Sequence, residues 1–436
     1  MNAANRTVFR VLGALQNPGR WLIMSIFFLC LVIIGTIGFQ IIAGEHSVIT
    51  DMGKGSDPPP VISQAEAQSN RLYILSHILR SDGTNGAVGG QITVLDAATR
   101  QVVNTIKTGV DVDAVLAPDG SRLYVAAVDV GEGNTDHLFA VDTGTGVELW
   151  RVALNNRIKY IFDGPTGLAL STTGRWLYVY SYPWLNQEAY QGPSNWLEIV
   201  NAETGQLLPD TIPLPNCGAA TLATAPAQEL MYVACYQSND LRFVNLETRQ
   251  VEDELKIPGA PFVDGTYLRT GGKPSSMTDM VLSSDGRELY VVTDDLRIAV
   301  VDVALRDITQ WVDHSRSDHV AVGNGLVALS ADGALLVIGE KVEDEAQGTI
   351  IGTRLHVFDT ETWQKVDQVQ LDQPLHTLVI DPDGQTAYGV TSSFNGKPLP
   401  DADTVLMIQL DDPVSKPISA SLKRNGEAIS RMFIGP

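Results

Sequence analysis

The sequence predicts an all-β chain: a seven-bladed β-propeller preceded by one N-terminal transmembrane helix. Three observations predict it. One uncharged apolar run lies near the N-terminus, a short phrase recurs about every 52 residues through the rest of the chain, and an orphan strand at the tail matches a vacancy at the head. Of the 436 residues, 44% are hydrophobic and 19% charged, which is enough apolar side chain to order a core and excludes a disordered chain. Lys and Arg number 30 against 51 Asp and Glu, and the resulting charge of -21 repels phosphate backbones, so no nucleic-acid partner is expected.

The first element is the apolar run. No residue from Trp21 to Gly44 is charged, and these 24 residues would rise about 36 Å as a helix, enough for the ~30 Å hydrocarbon layer with some tilt. Arg6, Arg10 and Arg20 precede it without an acidic residue, while Glu45, Asp51 and Asp57 follow it with only Lys54 as a counterweight. The positive-inside rule then keeps residues 1–20 in the cytoplasm, makes 21–44 the anchor and sends the rest across the membrane. A cleaved signal peptide is the competing reading. Its apolar region is normally about 7–15 residues, and Ile41 stands where a small residue would be needed before Ala43, so a retained anchor is favoured. Residues 45–68, with three successive prolines at 58–60, read as a stiff tether.

Residues 69–436 then repeat one unit. A turn containing Asp-Gly leads into Leu-Tyr-Val or a near copy, followed by an alternating strand that ends in Asp or Asn. Tyr73, Tyr124, Tyr178, Tyr232, Tyr290, Leu336 and Tyr388 hold the same place in successive units, 46 to 58 residues apart. Each unit parses into four short antiparallel strands, seen best at 113–117, 122–128, 137–142 and 147–154, with Gly, Asp, Asn and Pro between them where tight turns need special backbone angles. The Asp or Asn closing each third strand, such as Asp96, Asp142, Asn201, Asn245, Asp302 and Asp359, is expected to accept hydrogen bonds from turn amides. The first unit starts at Arg71 with no inner strand before it, and residues 427–436 (EAISRMFIGP) have no unit after them. The tail is therefore expected to pair with residues 72–77 and close the ring, leaving no open sheet edge.

The phrases Pro118-Asp119-Gly120-Ser121-Arg122-Leu123-Tyr124-Val125, Ser284-Asp285-Gly286-Arg287-Glu288-Leu289-Tyr290-Val291 and Pro382-Asp383-Gly384-Gln385-Thr386-Ala387-Tyr388 resemble YVTN-type seven-bladed β-propeller repeats, a group similar to amine-dehydrogenase heavy-chain propellers. The resemblance covers the whole region after the tether. It implies the fold; propellers of this kind serve as binding surfaces, enzyme subunits and surface proteins, so it implies no single activity. Residues 139–150 (FAVDTGTGVELW) look like the Trp-containing repeat of quinoprotein propellers, but the other units lack the Trp. No cofactor is expected on that basis.

In a meander of four strands, the first-to-second and third-to-fourth turns share one face, and the other links share the opposite face. The long links, 155–166, 181–195, 256–277, 313–324, 340–353 and 392–403, all fall on the second face, where recognition on a rigid scaffold normally resides. Tyr182, Trp184, Tyr190 and Trp196 crowd the third unit's link, and Arg157, Lys159, Tyr160 and Phe162 stand on the one before it. Phe262, Tyr267, Arg269 and Lys273 form a second basic and aromatic group. These side chains suit stacking on carbohydrate or docking of a protein, where Trp, Tyr and Arg dominate binding energy. The alternative is that some of the aromatics only pack the links' own small cores.

Other chemistry is thinner. His314 and His319 with Asp313 and Asp318 resemble a metal set but lack the fixed spacing of a helix or strand, so no metal is expected. Asp294-Asp295 and Glu343-Asp344-Glu345 read as solubilising acidic faces, and no G-x-S-x-G nucleophile elbow occurs. Cys217 and Cys235 flank one hairpin of the fourth unit and could bond outside the cell. Counting back from the Pro226 turn puts Cys235 nearer Ala220 than Cys217, an offset of about three residues or ~10 Å by strand rise, which weighs against the bond. The sequence therefore favours a non-enzymatic, membrane-anchored propeller that binds or scaffolds. A propeller oxidoreductase subunit or a lactonase-type hydrolase is the alternative.

Overall fold

Four-residue turns with Asp and Gly separate short runs of β-branched, aromatic and aliphatic residues, and each run becomes a strand. The computed structural model describes residues 70–79, 87–99, 101–128, 136–154, 167–181, 195–217, 220–226, 228–236, 238–258, 277–314, 321–344, 349–391, 405–410, 418–420 and 427–435. Among them the strands are β1 (Arg71–Leu79), β2 (Ala87–Asp96), β3 (Val102–Thr108), β4 (Val110–Leu116), β5 (Arg122–Val128), β6 (Asp136–Asp142), β7 (Glu148–Ala153), β8 (Leu168–Leu170), β9 (Trp176–Ser181) and β10 (Trp196–Asn201). They continue as β11 (Leu207–Pro213), β12 (Ala220–Thr224), β13 (Leu230–Cys235), β14 (Asp240–Asn245), β15 (Gln250–Lys256), β16 (Met277–Leu282), β17 (Glu288–Thr293), β18 (Arg297–Asp302) and β19 (Asp307–Asp313). The last are β20 (Ala321–Leu329), β21 (Leu335–Asp344), β22 (Thr349–Asp359), β23 (Lys365–Leu371), β24 (Leu375–Ile380), β25 (Thr386–Thr391), β26 (Val405–Gln409), β27 (Ile418–Ala420) and β28 (Glu427–Gly435). The apolar run 21–44 and the tether lie outside the described residues, and among those described no helix is long and apolar enough to cross a membrane.

These strands form seven four-stranded sheets, the blades of a β-propeller. Six blades use consecutive strands, from β4–β7 to β24–β27, whereas blade one has the order β28-β1-β2-β3. The tail thus supplies the innermost strand of the first blade, antiparallel to β1 from Arg71↔Gly435 to Ile78↔Glu427. Each innermost strand touches the next, from β4 through β8, β12, β16, β20, β24 and β28 back to β4, so the ring is closed.

The core is distributed between blades. Blades one and two enclose Tyr73, Leu75, Ile92, Phe139 and Val141; blades five and six enclose Tyr290, Ile298, Leu336 and Phe358. A second or third strand is therefore buried on both faces, as all six residues of β13 are, and its alternation sorts side chains between two neighbouring blades. Outer strands keep one wet face, as the mixed burial of β3 shows. Their unpaired edges are kinked: the ladder between third and fourth strand shifts register at Val94/Leu95, Ala140/Val141, Phe243/Val244, Val300/Val301 and Val357/Phe358. Such bulges twist an edge away from further pairing.

The turns follow from their chemistry. In the first-to-second hairpins, Gly120 N–H donates to Ala117 O and Gly286 N–H to Ser283 O, both at φ near +70° where a Cβ would be strained. At the third-to-fourth turns Asp96, Asp142, Asn201, Asn245, Asp302 and Asp359 each accept backbone N–H bonds from residues two or three further on, the structural role expected of them. The hydrogen bonds of Thr145 and Thr362 hold the Asp142 and Asp359 carboxyls below the usual carboxylate range.

Candidate functional site

Because every hairpin of this meander reverses the chain, the links β7–β8, β9–β10, β15–β16, β19–β20, β21–β22 and β25–β26 leave from one face of the ring. Two of them are shorter than the sequence suggests. The pairing of β21 with β22 continues through Val342↔Gly352, Glu343↔Ile350 and Asp344↔Thr349, so most of 340–353 is ladder; its β-branched run Thr349-Ile350-Ile351 favours strand. Likewise β20 starts at Ala321, inside the 313–324 link.

Of the predicted site residues, Trp196 is described: it is the first residue of β10, half-buried, and paired with Ser181 and Pro213, which places it at a root of the third blade's link. Tyr182, Trp184, Tyr190, Arg157, Lys159, Tyr160, Phe162, Phe262, Tyr267, Arg269 and Lys273 lie outside the described residues.

The roots of that link are described and closely held. Cys217 and Cys235 form a disulfide, with Cα atoms 4.7 Å apart and both residues fully buried. The strand count was right, since Ala220 does pair with Cys235, but the ruler of an extended strand does not apply beyond it. The chain reverses at 214–217, where Asn216 has φ 61° and Cys217 N–H donates to Leu214 O, and the reversal brings the sulfurs together. Cys217 O accepts from the Tyr180 hydroxyl and, at 2.7 Å, from Asn195 Nδ2, while Leu214 N–H donates to Asn195 O at 2.6 Å. Arg242 Nη2 donates to Pro215 O at 2.7 Å from the fourth blade.

Around the central channel, inner-strand side chains latch neighbouring blades on the same face. Asp113 Oδ2 accepts Leu168 N–H at 2.8 Å, and Asp279 Oδ2 accepts Gly325 N–H at 3.1 Å. Both acids follow a register shift in their strand, which aims them at the next blade. Thr221 bridges the Tyr236 hydroxyl and Asp279, so a polar chain runs from blade four through blade five to blade six. Asp294-Asp295 shows the bland reading of an acidic pair: Asp295 caps its own turn through Thr293 and Arg297.

Two buried charged groups stand between blades. Arg242, 3% exposed, pairs with Asp240 at 3.1 Å, and Asp240 also meets Lys256 at 2.6 Å. Glu340 binds Arg354 at 3.0 Å and His356 at 2.7 Å, with His356 2% exposed. Sequence reasoning missed both, although a signal exists. Three residues before the terminal Asp or Asn of the third strand, Phe139 and Ala299 are apolar, while Glu198, Arg242 and His356 are charged or titratable and equally buried.

His314 sits against Phe358, ring centroids 4.6 Å apart, which explains it as packing; among the described residues no group of three His, Cys, Asp or Glu is placed to hold a metal ion. Burial, with Lys365 and His356 nearby, pushes His314 below its ordinary 6.5, partly offset by a backbone hydrogen bond at Trp363 and by Asp313. The unfolded chain then takes up the proton first, so stability is full above pH 6.5 and falls as pH drops through the window beneath it. Thermal melts between pH 7.5 and 5 are expected to show a flatter acid decline for His314→Phe than for the wild type; parallel declines would exclude this source.

No known family model matches the chain, and no curated protein sequence matches it. Among solved structures it is similar to hydrazine synthase of Kuenenia stuttgartiensis, at 14% identity over 74% of this chain and 92% of that one, with a TM-score of 0.49. It is also similar to the β-propeller domain of Cps50 (Swd1) of Myceliophteria thermophila, at 14% identity over 70% and 88% of the two chains, with a TM-score of 0.49. Neither similarity transfers a residue role.

Proposed function

We propose that the chain is a membrane-anchored, extracytoplasmic β-propeller of the YVTN repeat type that binds or scaffolds a protein or carbohydrate through its link-bearing face. The observation that carries this reading is that the connections β7–β8, β9–β10, β15–β16 and β25–β26, each of 13 residues or more, all leave one face of a closed ring, while the described hairpins of the other face are tight capped turns. A ring of sheets latched blade to blade is a preorganised platform, and variable connections on it adapt to a ligand without disturbing the core. The Cys217–Cys235 disulfide supports an oxidising compartment, which agrees with an anchor at 21–44 whose positive flank stays inside.

The test uses the full chain in detergent on an array of soluble glycans and on a membrane-protein fraction crosslinked in intact cells. The wild type is expected to retain a defined subset, and Trp184→Ala/Trp196→Ala to lose at least about tenfold in affinity, the effect of removing one aromatic anchor. Stoichiometric uptake of a quinone, or turnover of an amine or lactone, overturns the reading in favour of an enzyme. Protease added outside intact cells is expected to cut the propeller and spare residues 1–20; cutting only after lysis overturns the location.

A further inference from the structure

We infer that residues 214–217, in the link joining blades three and four, are a clasp that fixes both roots of the 182–194 connection, making Tyr180, Asn195 and the Cys217–Cys235 disulfide positioning residues of the recognition face. The inference rests on the reading of that face given above. Tyr180 is the second-last residue of β9 and Asn195 directly precedes β10, so they flank the points where the chain leaves and re-enters the sheet. Both side chains donate to one acceptor, the Cys217 carbonyl, which fills both of its lone pairs. Tyr180, Asn195 and Cys217 are all at least nine-tenths buried, so water does not compete for these bonds.

The acceptor is itself immobilised from three further directions. The disulfide ties it to the end of β13, Leu214 N–H holds the Asn195 carbonyl, and Arg242 grips Pro215 O. A short link would need none of this merely to join two blades. The shorter link 372–374, between blades six and seven, has no disulfide, and one Thr353 hydroxyl accepting Leu375 N–H at 2.7 Å serves there. Since neither sulfur is exposed, a soluble thiol has no approach to the bond in the folded ring, and the clasp is permanent. In general, fixing both ends of a loop reduces the conformations it can sample and so lowers the entropy cost of binding through it.

Hydrogen exchange read by mass spectrometry on the full chain without ligand tests this, using Tyr180→Phe, Asn195→Ala and Cys217→Ala/Cys235→Ala. Peptides covering 181–196 and 213–217 are expected to exchange at least tenfold faster in each, with peptides from blades five and six unchanged. Unaltered exchange at 181–196 in Tyr180→Phe and Asn195→Ala overturns the clasp. Equal acceleration in every blade overturns it too, because the residues would then serve only general stability. If the cysteine variant fails to fold, the two single variants decide. The measurement involves no binding, so a ring that retains no glycan or protein refutes the recognition reading and leaves this result standing.

Discussion

Deleting residues 427–436 is expected to leave a chain without a cooperative melt near physiological temperature. The deletion removes the innermost strand of blade one together with its ladder to β1, which runs eight pairs from Arg71 to Ile78. Met432 is buried, Phe433 stacks on Tyr73 with centroids 5.1 Å apart, and Gly435 lies so close to blade two that a Cβ there would meet Leu116 Cδ2 at 2.1 Å. At about 1.5–3 kcal/mol per fully buried large side chain, Met432 with half-buried Phe433 and Ile434 contributes about 3–6 kcal/mol. Uncovering Leu72 and Ile74, both within the blade seven to blade one cluster, costs a comparable amount. Together these reach the roughly 5–15 kcal/mol that holds a whole domain folded. The strand also bridges blades two and seven, so its loss opens the ring at two interfaces. Calorimetry and near-UV circular dichroism decide: a melting temperature within about 2 °C of the full chain would mean that the tail is not the latch.

That closure was legible in the sequence because it follows from counting. Seven equivalents of Tyr124 with a strand missing at one end and left over at the other admit only a ring, and the turn chemistry of Asp142 and its equivalents marks where each third strand stops. Which face bears the long links was legible for the same reason, since it depends on parity alone. What resisted reading depends on where chain direction changes or where side chains meet across a blade interface. Cys217 looked out of reach of Cys235 because strand rise was extended across a reversal that only the backbone of Asn216 reveals. The ladder from Val342↔Gly352 to Asp344↔Thr349 was hidden by the acidic run 343–345, whose composition reads as a loop although Ile350 and Ile351 favour strand. Arg242 and His356 occupy the position filled by Phe139 and Ala299 in other blades, and seeing them as buried requires aligning the units residue by residue. For recognition residues the repeat is silent by construction: the links that carry Trp184 and Arg157 are the parts that do not repeat.

Asp240→Leu is expected to cost about 3–5 kcal/mol in urea unfolding, because it strands the Arg242 guanidinium in the interface between blades three and four. Arg242 would keep only Pro215 O and the looser Glu254 carboxylate at 3.6 Å, which is half in water, against the full cost of burying a cation. Lys256, 67% exposed, turns into solvent at little cost, so the penalty traces to the arginine. The decisive comparison is the double variant Asp240→Leu/Arg242→Met. Two apolar side chains of similar volume leave no charge to compensate, and a buried ion pair replaced in this way is often neutral or stabilising. Most of the loss should therefore return, with a coupling energy of about 3 kcal/mol or more. Recovery stops short by roughly 1 kcal/mol, since Met cannot donate to Pro215 O and one hydrogen bond to the link is gone. Simple additivity of the two single losses would show that Asp240 and Arg242 act independently, and that the pair does not set the packing of blade four on blade three. If instead the double variant is as stable as the wild type, the hydrogen bond to Pro215 contributes nothing to holding that link.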